Sequence, residues 1–145
     1  MADYFLISYE PLHIGHYIER VTAPEFGAIA SFLGTVRSPN QGESVRYIDY
    51  EGYDNMIETQ MARLAAELRT KYDLGHLVVA HRLGRMLPGE ASIAIVISSK
   101  HRKPALEACH EAINRAKELL PVWKNEVTES GNHWVEGSSA ASKTL

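Results

Sequence analysis

The chain has 145 residues, a length that suits one domain able to bury about two-thirds of its extended surface. Hydrophobic residues make up 45% and charged residues 23%, an ordinary globular balance, and the formal net charge of −3 argues against a general nucleic-acid binder. The one cysteine, Cys109, excludes a disulfide framework or a cysteine-rich metal site within one chain and fits a reducing, cytoplasmic compartment. The N-terminus MADYFLISYEPLH lacks the basic and long apolar regions of a secretory leader, and no run approaches the ~20 apolar residues of a membrane span.

Residues 3–10, DYFLISYE, read as a strand cut by Pro11, and residues 13–21 as a short helix. Residues 27–38 are rich in apolar and β-forming types and predict a strand. PNQGES at 39–44 gathers Pro, Asn and Gly into a turn, and residues 45–53 return from it as a second strand. Then the period changes. Met56, Ile57, Met61, Leu64, Ala65 and Leu68 recur at three and four, which predicts an amphipathic helix with Asp54 as its N-cap. Residues 76–84 predict one strand, Pro88-Gly89 a turn, and residues 92–99 a buried strand. From Pro104 the helical period returns through Ala105, Cys109, Ala112, Ile113, Ala116 and Leu120, and Pro121 stops it. VWKNEV and HWVEG predict two last strands around TESGN. Residues 1–137 thus read as a single α+β domain of two layers with a mixed, largely antiparallel sheet, followed by a small, polar, flexible tail at 138–145.

The chemistry gathers around basic residues. SSKHRKP puts Lys100, His101, Arg102 and Lys103 at the start of a helix, where free N–H groups and the dipole already favour an anion. Such a run makes sense if an anionic ligand neutralises it; a solvated basic loop is the alternative. Lys117 borders the apolar stripe of the same helix, where it either snorkels or is partly buried with a lowered pKa. Lys124 follows the Pro121 break and meets Lys117 only if the chain folds back. Arg37 stands at a strand end before the turn, suited to clamp a phosphate or to guard a sheet edge. His13 and His16 are three apart without a third ligand nearby and are expected at the surface, and Cys109 is expected in the core. His81 and Arg82 receive no role. No nucleotide-loop, zinc-protease, serine-hydrolase or CxxC motif is present.

FLGTVRSPNQG, YEGYDNM, HRLG, PGE, SSKHR and PVWKNE followed by GNHWV occur in this order between about Gly27 and Glu136. Together they resemble the large, catalytic subunit family of molybdopterin synthase. The resemblance implies an α/β hammerhead fold and a homodimer. Each end would bind a small ubiquitin-like sulfur-carrier subunit, giving a heterotetramer. It implies transfer of sulfur from the carrier's C-terminal thiocarboxylate to cyclic pyranopterin monophosphate, forming the dithiolene of molybdopterin. Lys117 and Lys124 match the family's catalytic lysines. Arg37, His101 and Arg102 match its substrate pocket, flanked by Thr35, Val36, Asn125 and Glu126. No metal or resident cofactor is implied, since sulfur arrives activated, and no nucleic-acid or membrane partner. The sequence departs from the family pattern at Lys100 and in VEGSSAAS, which has no basic residue before Lys143.

Two rival readings use the same residues. A non-catalytic anion-binding domain would keep the basic cluster without turnover. A phosphotransfer enzyme would need a carboxylate-rich metal site or a nucleophile motif, and the sequence offers neither.

Overall fold

A computed structural model describes residues 1–136; the expected tail at 138–145, with Lys143, lies outside them. The elements run β1 Asp3–Ser8, α1 Ile14–Val21, β2 Ala28–Thr35, β3 Val45–Gly52, α2 Asp54–Lys71, β4 Leu77–Arg82, β5 Gly84–Met86, β6 Ala91–Ser99, α3 Arg102–Leu119, β7 Val122–Thr128 and β8 Gly131–Glu136. The α+β class holds, and the strands divide between two four-stranded sheets, ordered β1-β4-β6-β2 and β5-β3-β7-β8. Among the described residues, only β1 and β4 pair in parallel.

The first sheet is covered on both faces, so the simple two-layer expectation gains a third layer here. Leu77, Val79, Ile93, Ile95 and Ile97 face α2 and α3, while Val78, Ala80, Ala94 and Val96 face Tyr17 and Val21 of α1. Burial on both faces is why β4 and β6 read as continuous apolar runs rather than alternating ones. On α2, Ile57, Met61, Leu64 and Leu68 recur at four, three and four and are fully buried. Each stabilises by roughly 1.5–3 kcal/mol relative to an exposed side chain. Two ion pairs lock α2 to α3: Glu67 accepts two hydrogen bonds from Arg115 at 3.1 and 3.0 Å, and Lys71 meets Glu111 at 2.7 Å.

Three expectations are corrected. The single strand at 76–84 is two strands in different sheets. The chain leaves the first sheet after Arg82, and Gly84, at φ 95°, turns it into the second, where β5 pairs with β3. A side chain is strained at that φ, so Gly84→Ala is expected to lower unfolding stability by about 1–2 kcal/mol in urea titrations. Helix α2 begins at Asp54 itself, with Tyr53 as the cap residue and no side-chain cap bond, so Asp54 acts through its charge in the first turn. Helix α3 begins at Arg102, with Pro104 inside its first turn, where the missing N–H has no intrahelical partner to lose.

Candidate active site

The two sheets meet beside the C-terminal half of α3 and enclose a cavity of about 700 Å³. Its walls come from the end of β2 and the following turn, from β3, from the last turns of α3, and from β7 and β8. Among the described residues, three cations reach it: Arg37, Lys117 and Lys124.

Local structure explains each position. Beyond β2, the backbone of Val36 is clipped to the Pro88-Gly89 turn: its N–H donates to Glu90 at 2.9 Å, and its carbonyl accepts from Gly89 at 2.7 Å. Val36 is buried with Val45, Ile48 and Met86, so Arg37 leaves a fixed anchor at the cavity rim. Lys117 sits half-buried one position after the fully packed Ala116, and the Arg115–Glu67 pair holds this part of α3 against α2. Helix α3 stops at Leu119, and β7 starts only three residues later, at Val122. That short return brings Lys124 back past the helix end. Alternation along β7 then puts Lys124 and Glu126 on the cavity face.

Lys124 is opposite Tyr50 of β3 in the strand register, and both line the cavity. Burial pushes the Lys124 ammonium below its ordinary pKa; Glu126 opposes the change, while Lys117 and Arg37 add to it. The Tyr50 hydroxyl is held above its ordinary pKa, first by burial, with Ser92 opposing and Glu126 adding. The cavity therefore contains a desolvated amine crowded by two other cations, an arrangement that attracts anions.

The residues singled out in the sequence do not all meet. Thr35, Val36, Arg37, Lys117, Lys124 and Glu126 line this cavity. Asn125 does not, because the same alternation turns it to the other face of the sheet, where its Oδ1 is buried without a partner. His101 and Arg102 do not either. They lie exposed at the opposite end of α3, and a rise of 1.5 Å per residue separates Arg102 from Lys117 by roughly 22 Å. Sequence reasoning passed over Asn40, Tyr50 and His133, which also line the cavity. Tyr50 reaches the cavity through its register with Lys124, which the spacing along the chain does not show, and the neighbours of Asn40 mark it only as a turn residue. His13 and His16 are exposed, Cys109 is buried, and burial pushes the Cys109 thiol up to about 11. His81 is buried in β4, its ring tilted 65° against that of Tyr50 at 5.6 Å between centroids. No helix among the described residues is long and apolar enough to cross a membrane.

Fold and cavity together define a small α+β protein with a cation-lined cavity between two sheets. The chain belongs to the MoaE protein family, whose model matches residues 7–119. It is 37% identical over 131 residues to the molybdopterin synthase catalytic subunit of Bacillus subtilis, covering 90% of this chain and 83% of that protein. Its fold matches a crystal structure of molybdopterin synthase from Staphylococcus aureus with a TM-score of 0.86 and 34% identity, covering 90% of this chain and 96% of the other. It also matches a chain from the complex of subunits 1 and 2 of the molybdopterin-converting factor from Helicobacter pylori, with a TM-score of 0.75 and 25% identity, covering 90% and 89%.

Proposed function

We propose that this chain is the catalytic subunit of a molybdopterin synthase, acting in the cytoplasm. The observation that carries the reading is the convergence of Arg37, Lys117 and Lys124 on one cavity in a MoaE-family fold. Both reactants are anions: cyclic pyranopterin monophosphate and the C-terminal thiocarboxylate of a small ubiquitin-like sulfur carrier. Bringing them together requires preorganised positive charge. Thr35, Val36 and Arg37 hold the pterin and its phosphate from the β2 end, with Glu126 on the opposite wall. The sulfur of the thiocarboxylate attacks a side-chain carbon of the pterin and replaces its oxygen substituent, a cyclic phosphate ester oxygen at one carbon, which opens the phosphate ring, and a carbonyl oxygen lost as water at the other; water then cleaves the acyl–sulfur link and releases the carrier as a carboxylate. One lysine stabilises charge or moves a proton at the attacked carbon, and the other stands by the thiocarboxylate. We assign these roles to Lys117 and Lys124 respectively. Two such transfers give the dithiolene, and the chemistry calls for no resident metal or cofactor.

His101 and Arg102 stand too far from this cavity to hold the same substrate from the same chain. Their role in phosphate binding therefore requires a second copy that brings the start of its own α3 to the cavity. A homodimer carrying two sulfur carriers, one at each end, meets that requirement. Asn125 is left out of the proposed contact set.

The test is a single-turnover assay with thiocarboxylated carrier and cyclic pyranopterin monophosphate. Wild type is expected to form molybdopterin, and Lys117→Ala to lose activity by a factor of about 100 or more with its fold intact. Carrier binding by wild type without any product would sink the sulfur-transfer reading and leave an anion-binding module.

A further inference from the structure

The turn between β2 and β3 is tied to the cavity in a way that the distribution of charge does not require. Backbone hydrogen bonds run both ways between Asn40 and Glu43, at 2.9 and 3.1 Å. Between them Gln41 and Gly42 hold φ of 51° and 80°, as a two-residue type I′ turn requires. That turn fixes the backbone of Asn40 at the cavity wall. Its side-chain amide then reaches in two directions. Oδ1 accepts a hydrogen bond from Arg37 Nη2 at 2.7 Å, and Nδ2 donates to Oε1 and Oε2 of Glu126 at 3.1 and 3.2 Å. Glu43 of the same turn accepts a hydrogen bond from Ser130 in the β7–β8 connection, so the turn is fastened to the hairpin twice.

The chemistry of the bridging group matters. A guanidinium and a carboxylate this close together would ordinarily pair directly, and a cation already neutralised is a poor receptor for another anion. An amide offers an acceptor to one and a donor to the other while carrying no charge. Among the described residues, neither Arg37 nor Lys124 has a carboxylate within ion-pair distance. Yet Glu126 lies on the same strand face as Lys124, two residues along.

We infer that Asn40 is a positioning residue for anion capture: it aims the Arg37 guanidinium into the cavity and holds Glu126 away from both Arg37 and Lys124. The inference rests on the proposed function only for the identity of the anion, the phosphate of the pterin substrate.

The test separates the two. Inorganic phosphate is titrated into wild type, Asn40→Ala, Arg37→Ala and the double variant, followed by NMR of side-chain N–H signals. Asn40→Ala is expected to weaken phosphate binding about tenfold, and the double variant to bind within twofold of Arg37→Ala, because interacting residues are not additive. In single-turnover assays the Asn40→Ala loss falls on the half-saturating pterin concentration rather than on the saturating rate. Asn40→Asp suits the same turn but sets a carboxylate against Glu126 and beside Arg37, so it is expected to lose more than alanine does. It also keeps the test intact if the alanine variant misfolds. Unchanged phosphate affinity in Asn40→Ala, independent losses that multiply in the double variant, or no phosphate binding by wild type would each overturn the role of Asn40, whether or not wild type makes product. Coupled phosphate binding in a wild type that makes no molybdopterin would instead overturn the proposed function and leave the positioning role standing.

Discussion

Lys124→Met is expected to abolish molybdopterin formation and, in the same protein, to raise the melting temperature. The ammonium is desolvated and crowded by Lys117 and Arg37, and only Glu126 favours its charge. Its pKa is lower in the folded chain than in the unfolded one, so the folded form binds fewer protons. The charge therefore costs stability at all pH values below the folded pKa, and the cost fades as pH rises through the ordinary lysine range. Methionine fills much of the lysine stem's volume without a charge to bury. A gain of roughly 1 kcal/mol is typical of such a relieved site, or about 3 °C in a chain of this size. The rate loss is expected at about 100- to 1000-fold, the scale of removing one electrostatic stabiliser from a water-poor site. Calorimetry and single-turnover rates on one preparation decide it: activity lost with a lower melting temperature would make Lys124 a structural residue.

The second large effect is an acid sensitivity stored in β4. His81 is 2% exposed, and burial lowers its pKa from 6.5 to about 4. Its Nδ1–H donates to the Arg82 carbonyl at 2.8 Å, a bond that favours the charged ring, but burial outweighs it, so the neutral ring is the one the fold accommodates. The folded chain binds fewer protons here than the unfolded one, so this contribution is complete above pH 6.5 and is lost as pH falls toward 4. Between pH 7.5 and pH 4.5 the loss amounts to about 2–3 kcal/mol. His81→Phe gives up the hydrogen bond and lowers stability at neutral pH, but it is expected to flatten the pH dependence by that amount. Urea titrations of both proteins at the two pH values provide the comparison. An unchanged pH difference in the variant would move the acid sensitivity to the carboxylates.

What could be read from the sequence was whatever depends on local periodicity. The stripe on α2, the buried run of β6, the turn at 39–44 and the core position of Cys109 follow from spacing and turn chemistry alone. The split of residues 76–84 was hidden because the apolar pattern runs on through Leu83, which is buried like its neighbours. Only the positive φ at Gly84 marks the change of sheet, and a lone glycine in a strand has several meanings. The meeting of Lys117 and Lys124 depended on the chain folding back after Pro121, which it does. The separation of His101 and Arg102 from them follows from the length of α3, which places the two ends of one helix at different sites. Asn40 was invisible as more than a turn residue, since its partner Glu126 lies 86 positions away.

The brief return from α3 into β7 also bears on how this chain can change over generations. Leu120 and Pro121 are the whole connection between the helix and the strand that follows it. Because successive strand residues face opposite sides, one codon inserted between Pro121 and Val122 would, if the pairing with β3 kept its register, turn Lys124 and Glu126 outward and Trp123 and Asn125 inward. Substitutions can be tried here one at a time, but changes of length cannot. The lineage is free to retune the cavity by altering side chains, and it is barred from doing so by lengthening or shortening this hinge.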